Sequence, residues 1–130
     1  MAYNILVVDD SMTVRAVIAK SLDLAGIPLG TLFQAGNGAE GLEVLRKEWV
    51  DLVLADINMP VMGGVAMVEE MKGDAGLSGI PVVIISTEGS ATRIAELKEK
   101  GVQAFLRKPF APEDLKRTVD ALLGEGAKDG

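Results

Sequence analysis

Four polar clusters each follow a short run rich in apolar residues. Asp9-Asp10 follow Ile5-Leu6-Val7-Val8, Asp56 follows Leu52-Val53-Leu54-Ala55, Ser86 ends Pro81-Val82-Val83-Ile84-Ile85, and Lys108 comes just after Val102–Leu106. Such runs are too short for helices and read as covered strands of a parallel sheet. The Met59-Pro60 pair forbids easy continuation beyond Asp56, because proline lacks an amide donor and steers its predecessor away from helix. In a parallel sheet the carboxyl ends share one edge and adjacent strands lie about 4.8 Å apart. Asp9, Asp10 and Asp56 therefore fall in one small pocket, where open α/β sheets place their chemistry. Three carboxylates that close repel one another and do not serve stability. A hard divalent cation relieves the repulsion, and an open, all-oxygen donor set suits Mg2+. Lys108 in the same pocket supplies the fixed positive charge that an incoming phosphoryl group needs. A carboxylate can be the nucleophile and carry the group as an aspartyl-phosphate. Phosphoryl transfer asks for positioning and charge neutralisation rather than for a base.

Composition removes the main rivals. The chain has no histidine, so it holds no Ser-His-Asp triad, no imidazole metal ligand and no phosphohistidine donor of its own. It has no cysteine, which excludes disulfides, thiolate nucleophiles and Cys-based zinc sites and is compatible with a reducing cytoplasm. A net charge of -6 argues against nucleic acid as a partner. No apolar run approaches a membrane span and no basic leader is present, so neither membrane insertion nor secretion is expected.

The elements that must position the pocket alternate along the chain. Ser11 is placed to cap a first helix, with Val14, Val17, Ile18, Leu22 and Ala25 on its apolar stripe and Gly26 as its stop. Thr31–Ala35 reads as a short second strand at a sheet edge, and Gly36-Asn37-Gly38 as a turn. Leu42, Leu45 and Trp49 mark the inner face of a second helix, with Trp49 as its anchor away from the pocket. Gly63-Gly64 reads as a flexible turn into a third helix carrying Val65, Val68 and Met71. A fourth, charged helix has Ala91, Ile94, Ala95 and Leu97 as its sparse apolar positions. Pro112-Glu113-Asp114 opens the last helix, whose Leu115, Val119, Leu122 and Leu123 face the core. Residues 124–130 are expected to fray. Five strand–helix alternations in 130 residues imply one domain with a parallel sheet covered on both faces.

At these spacings the chain resembles the receiver domain of two-component response regulators, and within them the single-domain, chemotaxis (CheY-like) kind. The likeness rests on Val7-Val8-Asp9-Asp10-Ser11, Asp56-Ile57-Asn58-Met59-Pro60, Gly63-Gly64, Pro81–Ser86 and Lys108-Pro109-Phe110, and covers residues 4 to 123. It implies a flavodoxin-like, doubly wound (βα)5 fold with strand order 2-1-3-4-5. It implies Asp56 as phosphoacceptor, Mg2+ held by Asp10, Asp56 and the backbone carbonyl of Asn58, and Asp9 assisting through water. Ser86 corresponds to the hydroxyl that bonds the phosphoryl group, Lys108 to its pairing cation, and Lys108-Pro109 to a cis peptide. Asn58 and Glu88 correspond to residues that flank the group and tune its hydrolysis. Phe105 stands where the switch aromatic is often tyrosine, so a step that uses the tyrosine hydroxyl is not available here.

The resemblance further implies a cytoplasmic switch that catalyses only its own phosphorylation and dephosphorylation. A histidine kinase would supply the phosphoryl group, and a phosphatase is a further partner. A target such as the flagellar motor switch would read the state on the face of the fourth helix, fifth strand and fifth helix. With nothing after Gly130, the signal is expected to leave by contact with another protein. The alternative is a degenerate or non-chemotaxis receiver that serves as a protein-docking module. A haloacid-dehalogenase-type phosphatase would want Asp-x-Asp, but position 58 is asparagine. A flavin or nucleotide carrier would want a hydroxyl- and glycine-rich loop where Asp9-Asp10 would repel phosphate.

Overall fold

The computed structural model describes residues 2–87 and 90–123. Strands and helices alternate as β1 (Tyr3–Val8), α1 (Met12–Leu24), β2 (Leu29–Ala35), α2 (Gly38–Lys47), β3 (Leu52–Ala55), α3 (Gly64–Lys72), β4 (Val82–Ser86), α4 (Ala91–Glu99), β5 (Ala104–Arg107) and α5 (Pro112–Leu123). All neighbouring strands pair in parallel, in the order β2-β1-β3-β4-β5. This is the flavodoxin-like arrangement expected from the alternation and the family resemblance.

Side chains that alternate along each strand build one core on each face of the sheet. Leu6 and Val8 of β1 join the core under α2, α3 and α4, whereas Ile5 and Val7 join the core under α1 and α5. β3 and β4 are buried along their whole length, which explains their unbroken apolar sequences. The register then fixes the site. Val8 of β1 lies opposite Ala55 of β3, so Asp9 and Asp56 are the first residues past an aligned pair of strand ends. Ser86 lies opposite Arg107, which brings Lys108 beside the end of β4.

Local chemistry sets the helix starts. The Ser11 hydroxyl accepts the Val14 amide at 3.2 Å. Asn37 does more than turn the chain, since its side chain accepts the Glu40 amide at 3.0 Å while Glu40 accepts the Gly36 amide at 3.0 Å. In α5, Asp114 accepts the Ala111 amide at 3.1 Å, as acids near a positive helix end should.

Several expectations need correction. Trp49 is not on the inner face of α2. The helix stops at Lys47, Glu48 is extended (φ -120, ψ 155), and Trp49 is 78% exposed with its indole N–H donating to Asp51 at 3.0 Å. The buried face of α2 consists instead of Gly38, Gly41, Leu42 and Leu45. Val17 is exposed because the buried stripe of α1 runs through Ile18 and Leu22, one position round the helix. β2 is an edge strand as expected but begins at Leu29, two residues before the predicted start. Of the apolar positions assigned to α4, only Leu97 is buried. The expected fraying of residues 124–130 concerns positions outside the described residues, as does the role expected for Glu88. Among the described residues, no helix is long and apolar enough to cross a membrane.

Candidate functional site

The aligned ends of β1 and β3 set the acidic wall of a crevice. The Asp56 amide donates to the Val8 carbonyl at 3.0 Å, and the Asp9 amide to the Ala35 carbonyl at 3.1 Å, so the sheet ladder runs right up to both acids. Asp9 is buried, Asp56 partly buried and Asp10 exposed, and one carboxylate oxygen from each lies within 4.8 Å of the others. Asp9 Oδ1 accepts the Ser11 amide at 2.9 Å, and Asp56 Oδ1 accepts the Ile57 amide at 2.7 Å.

The second wall comes from β4 and β5. The Lys108 amide donates to the Ser86 carbonyl at 2.9 Å, which continues the β4–β5 ladder and aims the side chain back across the sheet. Lys108 Nζ stands 3.3 Å from Asp9 Oδ2 and 3.7 Å from Asp56 Oδ2. Ser86 is buried at the end of β4, where its hydroxyl favours the charged form of Asp56. The Lys108-Pro109 peptide is cis, as the resemblance implied.

Burial pushes the Asp56 carboxyl above its ordinary value. The Ile57 amide and the Lys108 ammonium oppose that rise, the nearby Asp9 charge adds to it, and the Ser86 hydroxyl counters it weakly. One ammonium against three carboxylates leaves the crevice net negative. The donor set consists of oxygens only, from one buried, one partly buried and one exposed carboxylate, and it fits a small hard cation better than a soft one.

The structure thus gathers Asp9, Asp10, Asp56, Ser86 and Lys108 at one edge. Asn58 follows two residues after Asp56 on the same loop and is exposed. Phe105 sits outside the crevice: it lies on β5 opposite Ile84 and packs, partly buried, against the core under α2–α4.

Two contributors escaped the sequence reading. Gly64 was expected to give flexibility, yet a Cβ there would lie 2.2 Å from the Asp56 carbonyl oxygen. Its role is close approach, and its amide donates to the Ile57 carbonyl at 2.9 Å, so the start of α3 braces the strand end that carries Asp56. Arg15 donates through Nη1 to the Asp9 carbonyl at 2.6 Å and through Nε to Gln34 at 3.0 Å. A cation one helical turn after an acidic strand end was the available signal.

Comparison with known proteins agrees with this geometry. Residues 5–120 match the family described as the response regulator receiver domain. A chemotaxis protein CheY homolog of Campylobacter jejuni is 32% identical over 128 residues, covering 98% of this chain and 97% of that protein. Protein PilH of Pseudomonas aeruginosa is 35% identical over 120 residues, covering 92% of this chain and 97% of that protein. The solved structure of chemotaxis protein CheY4 of Vibrio cholerae superposes with a TM-score of 0.84 at 32% identity, covering 95% of this chain and 100% of that one. With the fold, the strand-end carboxylates and these matches in hand, the chain belongs to the response regulator receiver family of two-component signalling proteins.

Proposed function

We propose that the chain is a phosphorylatable signalling switch whose acceptor is Asp56. The observation that carries this is the convergence of Asp9, Asp56 and Lys108, with Nζ 3.3 and 3.7 Å from the two carboxylates, beside an exposed third acid. On this reading residues 1–130 form one receiver domain that works in the cytoplasm and modifies only itself.

Asp10, Asp56 and the Asn58 carbonyl would hold Mg2+, with Asp9 assisting through water, and the ion would neutralise charge on the oxygens of the transferred group. Asp56 supplies the nucleophilic oxygen, which bonds to phosphorus as the donor's own bond to phosphorus breaks. A histidine kinase is the natural donor, its imidazole nitrogen leaving with the bonding pair, and this chain offers no histidine to compete. The Ile57 amide and Lys108 favour the ionised carboxylate and so oppose the rise that burial causes. Lys108 then pairs with the new charge, and the Ser86 hydroxyl bonds a phosphoryl oxygen. Asn58 and Glu88 tune how fast water removes the group, and a phosphatase partner can speed that step.

The output follows from what Ser86 and Phe105 adjoin. Rearrangement at the end of β4 passes to β5 and the neighbouring helices, shifting a pre-existing equilibrium. A target would read it on the α4–β5–α5 face, where a cleft of about 540 Å³ is lined by Phe105, Arg107, Phe110, Asp114, Arg117 and Thr118 among others. Similarity to chemotaxis proteins supports a target such as the flagellar motor switch. Protein PilH, at 35% identity, supports a receiver outside chemotaxis as the second reading.

Incubation with Mg2+ and a small phosphodonor such as acetyl phosphate should add acid-labile phosphate, and chelating the metal should prevent it. Labelling that ignores the metal would contradict the mechanism. A pull-down with and without beryllofluoride then separates the outputs: retention of a motor-switch protein only with the mimic supports the first, and equal retention supports a docking module.

A further inference from the structure

Asp9 and Asp56 are each tied by a main-chain amide, but Asp10 is exposed. Its direction therefore depends on the peptide from which it hangs, and four contacts close a loop around that peptide. The Asp9 carboxylate accepts the Ser11 amide at 2.9 Å, and the Ser11 hydroxyl accepts the Val14 amide at 3.2 Å. The Ser11 carbonyl accepts the Arg15 amide at 3.0 Å, and the Arg15 guanidinium returns to the Asp9 carbonyl at 2.6 Å. That carbonyl belongs to the peptide joining Asp9 to Asp10. The guanidinium is itself steadied from the next strand, where Gln34 accepts its Nε at 3.0 Å.

We infer that Arg15, steadied by Gln34, is a positioning residue that fixes the Asp9–Asp10 peptide and so aims Asp10 into the cation site. The inference rests on the cation reading of the acidic crevice and adds a residue that acts through the main chain. Arg15 touches no reacting atom in this arrangement. Its planar fork holds the two acceptors through separate nitrogens in fixed directions, a geometry that the single nitrogen of a lysine does not reproduce.

The charge of Arg15 gives the test a sign. A cation beside a cation site opposes binding, so if Arg15 were only a nearby charge, removing it would tighten Mg2+ and Arg15→Lys would change nothing. If it positions Asp10, both Arg15→Ala and Arg15→Lys weaken Mg2+, by about tenfold for the alanine, the usual scale for losing an outer partner of a metal ligand. Gln34→Ala should give a smaller loss in the same direction. The measurement is calorimetric titration of the metal-free protein with Mg2+, with far-UV circular dichroism confirming the fold of each variant. If Arg15→Ala does not fold, Arg15→Lys and Gln34→Ala decide. Tighter or unchanged binding in the folded variants overturns the inference while leaving the cation site intact. Failure of the unmodified protein to bind Mg2+ overturns the cation reading itself, and the inference with it.

Discussion

α3 and α4 are both nine residues long and cover the same face of the sheet, yet they are held in opposite ways. α3 has no side-chain cap at its start, and its hold comes from burial: Gly64, Met67, Val68 and Met71 are all in the core. α4 is capped by Ser90, whose hydroxyl accepts the Arg93 amide at 3.1 Å, but it buries only Leu97. The first helix braces the strand end that carries Asp56. The second follows the strand end that carries Ser86. The half of the crevice that carries Asp56 is thus backed by a helix held along much of its length, and the half that carries Ser86 is followed by a helix held at one buried residue, so α4 should open at lower cost than α3.

The largest effect should come from breaking the braced half at its tightest point. Gly64→Ala puts a Cβ against the immovable Asp56 carbonyl and should cost at least about 3 kcal/mol in urea unfolding. Truncations then compare the two helices directly. Met71→Ala should cost about 3 kcal/mol and lower protection across the whole domain, since Met71 is fully buried in the core. Leu97→Ala should cost about 2 kcal/mol, with hydrogen exchange accelerated in α4 and far less in α3. Equal losses of protection in both helices would erase the distinction. Ser90→Ala should cost about 1 kcal/mol and be felt within α4 alone.

The braced half also carries an electrostatic cost, visible as a pH dependence. The Asp56 carboxyl is raised in the folded protein, chiefly by burial, above an unfolded value of 3.8. Between those two values the folded state binds more protons, so its stability falls as pH rises through that window. Metal-free Asp56→Asn should therefore match the unmodified protein near pH 3 and melt at a higher temperature at pH 7. A difference of the opposite sign at pH 7 would mean that Lys108 and the Ile57 amide outweigh burial.

Much of this was legible in the chain because parallel sheets bury strands on both faces. Continuous runs such as Leu52–Ala55 announce themselves, and the first polar residue afterwards marks the rim. Asp9, Asp56 and Ser86 could be placed that way without knowing a single distance, and Lys108 lies two residues past the end of the fifth run. What escaped depends on contacts that have no periodicity. Gly64 looks like any glycine in a turn until the Asp56 carbonyl is found where its Cβ would be. Trp49 looked like an anchor because size argues for burial, but the helix ended two residues earlier and left the ring outside. In α2 the position that meets Val8 and Met67 at close range is Gly41, which no hydrophobic pattern flags. Arg15 is a lone charge between Val14 and Ala16 of α1, and only the fold shows that its guanidinium reaches back to the Asp9 carbonyl.

The central claim is that Asp56 accepts the phosphoryl group, and trapping the acyl phosphate tests it most directly. The protein is labelled with Mg2+ and a small phosphodonor, reduced with borohydride, digested and read by mass spectrometry. Homoserine in place of aspartate at position 56, absent without phosphodonor or metal, is the predicted result. Homoserine at Asp9 or Asp10, or at no position, would contradict the account.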